Sequence, residues 1–184
     1  AAAVCRLQAA KGRDWQTPPP VLIADLEDLN GLAAAVPPAA RRLAAACWPG
    51  PLTLVFDLAP QAGLGLGDGA ATVAVRLPDC EPLRRLLRRV GPLAVSSANR
   101  HGRRPATTAA EALSELGGRV ALCVDGGPTP GPVPSSIVSF AAGAGGRLLR
   151  WGRLGPAFLR RFAPGLDSSA AVSPAAASGS ETAD

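Results

Sequence analysis

Proline and glycine recur so closely along this chain that no regular element can run far. The 19 prolines and 21 glycines cluster at Pro18-Pro19-Pro20, Pro37-Pro38, Trp48-Pro49-Gly50-Pro51, the glycine-rich Gly63–Gly69, Asp125-Gly126-Gly127-Pro128 and Pro130–Pro134. Proline lacks an amide donor and fixes φ, so each cluster ends whatever precedes it. Between these breaks lie short apolar runs that read as strands: Val21–Ala24, Leu52–Leu58, Thr72–Leu77, Leu93–Val95, Val120–Val124, Ser136–Phe140 and Arg147–Trp151. Helical patterns alternate with them irregularly. They cover Ala1–Ala10, a segment capped by Asp25 and running to Val36, a second ending near Cys47, Glu81–Val90, Thr108–Leu116 and Pro156–Phe162. Gly63–Gly69 does not precede a helix and reads as a hairpin connection rather than a dinucleotide loop. Strands and helices interleave without a regular βαβ period, which predicts a mixed α/β fold with a twisted, partly antiparallel sheet.

The chemistry-bearing stretch is Leu93–Thr108, L-A-V-S-S-A-N-R-H-G-R-R-P-A-T-T. A short strand, taken as central, opens into compact donors and acceptors at Ser96, Ser97 and Asn99, and Thr108 with Glu111 forms a capping box. Beside Arg100, Arg103 and Arg104 the helix start is a candidate anion site; the same residues also suit an Asx-type turn between strand and helix.

The length allows one domain with a full core, and no apolar run approaches the roughly 18–20 residues of a membrane span, so the expected location is cytoplasmic. Net charge is +5, yet residues 167–184 hold three acids and no Lys or Arg. The remainder carries 19 basic against 11 acidic residues, a net +8 that suits phosphate-bearing partners. The Arg84, Arg85, Arg88 and Arg89 helix face, by contrast, reads as solvated surface above an apolar stripe of Leu83, Leu86, Leu87 and Val90. Cys5, Cys47, Cys80 and Cys123 have no metal-ligand spacing and read as buried free thiols, and His101 is the sole histidine, so no zinc or other metal site is expected. From Asp167 the Ala/Ser/Gly/Pro composition predicts a disordered tail, 167–184, after a domain of 1–166. With no methionine present, the chain is expected to continue upstream of Ala1.

Eight separated motifs carry a family resemblance: Lys11-Gly12-Arg13, P-V-L-I at Pro20–Ile23, W-P-G-P-L-T-L-V at Trp48–Val55, T-V-A-V-R-L-P at Thr72–Pro78, S-S-A-N-R-H-G at Ser96–Gly102, D-G-G-P at Asp125–Pro128, V-P-S-S-I-V at Val133–Val138 and L-L-R-W-G at Leu148–Gly152. In order and spacing this set resembles the YrdC-type threonylcarbamoyl-AMP synthase family. The resemblance implies a YrdC-like twisted mixed sheet with flanking helices and a concave basic cavity, N-terminally incomplete because the family's P-T-D-T-V-Y-G-L-like first strand is missing. It implies condensation of L-threonine, bicarbonate and ATP to threonylcarbamoyl-AMP and pyrophosphate, with Mg²⁺ accompanying ATP. The threonylcarbamoyl group would pass to tRNA-modifying threonylcarbamoyl transferase proteins.

By residue, the resemblance implies Lys11, Arg13 and Asn99 as catalytic; Arg13, Thr72, Ser97 and Arg150 as ATP-binding; and Arg76, Val95 and Ser135 as threonine-binding. Lys11 is the only lysine in an arginine-biased chain; taken alone, it also suits a helix C-terminal cation. After Arg13 the chain reads D-W-Q-T-P-P-P instead of the family's R-P…K-P-like continuation, His101 stands at a common serine, Arg104 at a common proline and Ser136 at a usual threonine. These departures leave a second reading: a non-catalytic YrdC-like module binding RNA or nucleotide through its basic surface, or an inactive truncated paralogue.

Overall fold

The computed structural model describes residues 2–12, 18–67, 69–131, 133–141 and 143–172. Six strands form one mixed sheet in the order β4-β1-β3-β2-β5-β6: β1 Val21–Leu22, β2 Leu52–Asp57, β3 Thr72–Arg76, β4 Leu93–Ala94, β5 Ser136–Ser139 and β6 Arg147–Arg150. β1 pairs parallel with β3 and β2 parallel with β5, while β1–β4, β2–β3 and β5–β6 are antiparallel. This is the mixed, twisted α/β class expected from the irregular alternation of elements. Gly63–Gly69 does join the antiparallel β2 and β3, as the hairpin reading required.

Five α-helices flank the sheet among the described residues: α1 Ala2–Lys11, α2 Pro38–Cys47, α3 Glu81–Val90, α4 Ala109–Leu116 and α5 Pro156–Arg160. None is long and apolar enough to cross a membrane. α2 starts with proline at its first position, where the missing N–H costs nothing, and buries Ala39, Ala40, Leu43, Ala44 and Cys47. These pack with Val21, Ile23, Leu52, Leu54, Phe56, Val73, Val75, Val138 and Leu148 in a single core. Strand side chains alternate across a sheet, so the odd residues of β1 and β3, the even residues of β2 and β5, and Leu148 of β6 share that core face; a register shift between Ile137 and Val138 then sets Arg150 opposite Ile137 instead. Leu22, Val55, Ala74, Arg76, Ile137 and Arg150 fall on the other face and are only half-buried.

Several local expectations give way to tertiary pairing. The segment after Asp25 is a single 3-10 helix, Leu26–Gly31, not a helix to Val36. Asp28 Oδ2 accepts from the amides of Ala24 and Asp25 at 3.0 and 3.2 Å, closing its start. Its continuation is drawn off by β2: Ala34 N donates to Asp57 O and Ala59 N to Leu32 O. Leu93–Ala94 is an edge strand rather than a central one: among the described residues its strand partner is β1 alone, while β2, flanked by β3 and β5, lies in the interior. Val120–Val124 forms no strand: among the described residues no ladder lies beside it, and Leu122 and Val124 are 79% and 82% exposed. On α3 only Leu87 is buried; Leu86 and Val90 are exposed, so the apolar stripe is narrower than the sequence suggests. Three of its four arginines are paired, Arg84 and Arg88 with both Asp25 and Glu81, and Arg85 with Glu81. Of the four free cysteines Cys47 is buried, but Cys5 and Cys80 are exposed, contrary to the buried-thiol reading. Residues 167–172, expected to be without order, lie along β6: Leu148 N donates to Asp167 O at 2.7 Å and Trp151 N to Val172 O at 3.0 Å. These amides on the outer side of an edge strand would otherwise lack partners.

Candidate functional site

The sheet register lines up one row of side chains across the half-buried face. Leu93 faces Leu22, Leu22 faces Arg76, Thr53 faces Ile137, and Ile137 faces Arg150. Extending the β2–β3 register by one residue beyond Leu54–Val75 sets Thr53 opposite Arg76. The two arginines therefore stand three strands apart, about 14 Å between their backbones, with Thr53 and Ile137 between them.

Arg76 Nε donates to the Gly50 carbonyl at 2.9 Å, and its terminal nitrogens have no hydrogen-bond partner among the described residues. Gly50 belongs to the Trp48-Pro49-Gly50-Pro51 corner, which contains a cis peptide between Trp48 and Pro49. Trp48 Nε1 donates to Leu52 O at 2.7 Å and Gly50 N to Leu77 O at 3.0 Å, tying the corner to the ends of β2 and β3. Only glycine fits at position 50, where a Cβ would come 2.3 Å from Cys47 O.

Arg150 is fixed from the other side. Its Nε and Nη2 donate to Ser135 O at 3.1 and 2.9 Å, Nη2 also reaches Ser135 Oγ at 3.2 Å, and that hydroxyl lies 2.9 Å from Thr53 Oγ1. Burial lowers the pKa of both guanidinium groups, and the neighbouring Arg76 charge lowers that of Arg150 further. Two partly desolvated like charges favour an anion near them. Just behind, Ser136 is fully buried; its hydroxyl accepts from Gly152 N at 3.0 Å and Leu154 N at 2.9 Å and donates to Leu154 O at 2.7 Å. At Gly152 a Cβ would lie 2.3 Å from Pro134 O, so the β6 exit presses directly on the Pro134–Ser135 backbone that leads into β5.

The S-S-A-N loop is organised by Lys11. This lysine ends α1 and is 6% exposed. Its ammonium donates to Ser97 O at 2.9 Å, to Asn99 Oδ1 at 3.1 Å and to Asn99 O, with Ser97 Oγ at 3.4 Å. Asn99, 5% exposed, spends its amide on Arg100 O at 2.9 Å and Arg103 O at 2.6 Å, and His101 N donates to Lys11 O. Asn99 is thus the staple of a tight loop whose cation is an interior lysine. At the following helix, Glu111 answers the N-terminus: its carboxylate accepts from Thr107 N at 2.7 Å and Thr107 Oγ1 at 3.0 Å, while Glu111 N donates to Thr108 Oγ1. These bonds, and the Arg104 charge after them, hold Glu111 below the usual carboxylate range. Arg103 pairs with Glu115 at 3.8 Å. The helix start is occupied by the chain's own acids, which removes the case for an anion there.

The structure bonds Ser135 to Arg150 and puts Arg76 on the same row of the sheet, three strands from Arg150. Thr72 lies on the same face at the opposite end of β3, about 13 Å from Arg76 along the strand. β4 runs antiparallel to β1, so the chain leaving it at Val95 heads toward that Thr72 end, where Val95 N donates to Pro20 O and Ser97 follows, exposed. Lys11 and Asn99 meet in the loop, and Arg13 lies outside the described residues. Sequence reasoning gave Gly50, Thr53, Ser136 and Gly152 no role in the site, although all four lie within the family motifs. For Thr53 a signal existed: it is the one polar residue within L-T-L-V-F. Among the described residues no group of three or more His, Cys, Asp and Glu converges as a metal site.

Comparison with known proteins matches this arrangement to one family. The family model Sua5/YciO/YrdC, described as telomere recombination, matches residues 1–152. A Mycobacterium tuberculosis protein carrying the provisional name threonylcarbamoyl-AMP synthase is 42% identical over 169 residues, 92% of this chain and 76% of that protein. The Bacillus subtilis threonylcarbamoyl-AMP synthase is 40% identical over 141 residues, 76% of this chain and 41% of its own length. Among solved structures, Pyrococcus abyssi Sua5 complexed with L-threonine superposes with a TM-score of 0.83 at 33% identity, over 90% of this chain and 49% of that one. By the span matched and by these identities, the chain belongs to the Sua5/YciO/YrdC family, the YrdC-type proteins.

Proposed function

We propose that this chain is an L-threonylcarbamoyladenylate synthase, a nucleotidyltransferase. L-threonine's amine and bicarbonate give a carbamate and water. A carbamate oxygen then attacks the α-phosphorus of ATP, the bond to the β-phosphate bridging oxygen breaks, and pyrophosphate leaves. The relatives named for this product and the threonine complex of Sua5 support the reading. The observation that carries it is the pair of partly buried arginines on one sheet row: Arg76, anchored at Nε with its terminal nitrogens bonded to no group among the described residues, suits a bidentate carboxylate contact. In this reading Ser135, bonded to Arg150 and Thr53 farther along the row, would offer its hydroxyl to the same amino acid, and Val95, where the chain leaves β4, would line its pocket.

Arg150 offsets negative charge as carbamate and phosphate meet. Thr72 and Ser97, toward the far end of the face, suit the nucleotide, and a separation of about 13 Å accommodates an amino acid joined to a nucleotide. Lys11 and Asn99 hold the Ser97 loop in shape, and for Arg13, outside the described residues, the phosphate role rests on the family resemblance. Mg²⁺ is expected to accompany ATP and, when bound, would supply charge neutralisation for the departing pyrophosphate. The product would go on to tRNA-modifying transferase proteins.

The test is pyrophosphate release from ATP and bicarbonate, with and without L-threonine, for the parent chain and Arg76→Ala. Release is expected to require threonine. Losing a charged bidentate contact worth about 1.5–3 kcal/mol should lower kcat/KM for threonine roughly ten- to hundredfold. No release from a folded parent, or release indifferent to threonine, would sink the proposal and favour a nucleotide- or RNA-binding module.

A further inference from the structure

Thr53 has no role in the chemistry described so far, yet its position is unusual. It lies in an interior strand, 5% exposed, on the sheet face that carries Arg76 and Arg150 and in the row between them. Its hydroxyl has one hydrogen-bond partner among the described residues, Ser135 Oγ at 2.9 Å. Either oxygen could donate, and the surroundings decide which does. Arg150 Nη2 already donates to Ser135 Oγ at 3.2 Å. If Ser135 gave its proton to Thr53, the Thr53 proton would be left buried with no acceptor, a costly state. If Thr53 donates instead, its own group is satisfied and both acceptor positions on Ser135 Oγ are filled. The Ser135 proton then has to point away from both neighbours, and Ser135 is half-buried where Thr53 is buried.

We infer that Thr53 is a positioning residue that commits the Ser135 hydroxyl to act as a donor, and so selects an anionic oxygen of the substrate, a carboxylate or carbamate, at this end of the face. The inference rests on the reading of Ser135 as a threonine-site residue. Valine at position 53 keeps the shape and the strand preference but cannot donate. It would leave Ser135 able to turn its proton toward other acceptors.

The experiment measures L-threonine binding by calorimetry, together with threonine KM and kcat for pyrophosphate release, in the parent, Thr53→Val, Thr53→Ser and Ser135→Ala. Thr53→Val is expected to weaken threonine binding and raise its KM about two- to tenfold, the worth of one net hydrogen bond, with ATP KM and kcat little changed. Thr53→Ser should restore both values. Adding Thr53→Val to Ser135→Ala should cost nothing further, since Thr53 acts through that hydroxyl. Thr53→Ala serves if the valine variant does not fold. Unchanged threonine affinity in a folded Thr53→Val protein, or full additivity with Ser135→Ala, overturns the inference while leaving the synthase reading intact. A folded parent that neither binds threonine nor releases pyrophosphate overturns both.

Discussion

Replacing Lys11 with methionine keeps the length of the side chain and removes its ammonium. In the structure that group holds two backbone carbonyls and the Asn99 side-chain oxygen. Ser97 is exposed, so its carbonyl regains water when the lysine goes; Asn99 is buried, and its two oxygens do not. Each buried acceptor left without a donor costs about 1–3 kcal/mol. Freeing the protein from a buried ammonium offsets part of this. The net loss is then roughly 3 kcal/mol, which for a chain of this size lowers the melting temperature by about 6–12 °C. Thermal unfolding followed by circular dichroism gives the shift, and amide exchange reports the loop: Asn99 N, bonded to Ser97 O, and His101 N, bonded to Lys11 O, should both lose protection. A melting temperature within about 2 °C of the parent, with loop amides as protected as before, would mean that Lys11 does not organise the loop.

Two further outcomes follow from the same bonding. Ser136→Ala strands the amides of Gly152 and Leu154 and the Leu154 carbonyl at a fully buried site; the variant should lose about 2–4 kcal/mol in urea unfolding, and a loss below about 1 kcal/mol would contradict the assigned network. The hydrogen bond from Arg88, followed by that from Arg84, holds Asp25 below its ordinary value of 3.8, and bonds from Arg85 and then Arg88 hold Glu81 below 4.5. A carboxylate with a lower pKa in the folded state than in the unfolded state contributes its full stabilisation above the unfolded value and loses it as pH falls through the folded one. Stability should therefore be flat above about pH 5 and decline below about pH 4, and Asp25→Asn should flatten that decline; an unchanged acid slope in the variant would exclude Asp25 from the linkage.

Much of this architecture was readable from local rules. Proline at the start of α2, glycine ending α1 at Gly12 with φ of +63°, and the glycine-rich link between β2 and β3 act through a few adjacent dihedrals, so the residues themselves delimit the elements. Ordered motifs likewise pointed to the family and drew attention to Arg76, Ser135 and Arg150. Pairing partners were not readable in this way. Whether Leu93–Val95 sits at the centre or the edge, and whether Val120–Val124 is a strand at all, depends on which backbone lies alongside, and an apolar run carries no record of that. The helix after Asp25 stopped at one 3-10 segment for the same reason, with β2 claiming the next amides.

The site shows the division most sharply. Residue type singled out Ser96, Ser97, Asn99 and the lone lysine, because charge and hydrogen-bonding capacity belong to the side chain wherever it lies, whereas Arg76, Ser135 and Arg150 came with the family resemblance. That Lys11 turns inward onto Ser97 and Asn99, that Arg76 and Arg150 share one row, and that Thr53 stands between them were decided by sheet register and by contacts between residues tens of positions apart in the chain. A hydroxyl in an apolar strand acquires a direction for its proton only when a long-range partner and burial from solvent are both present, and those arise only when the chain is folded.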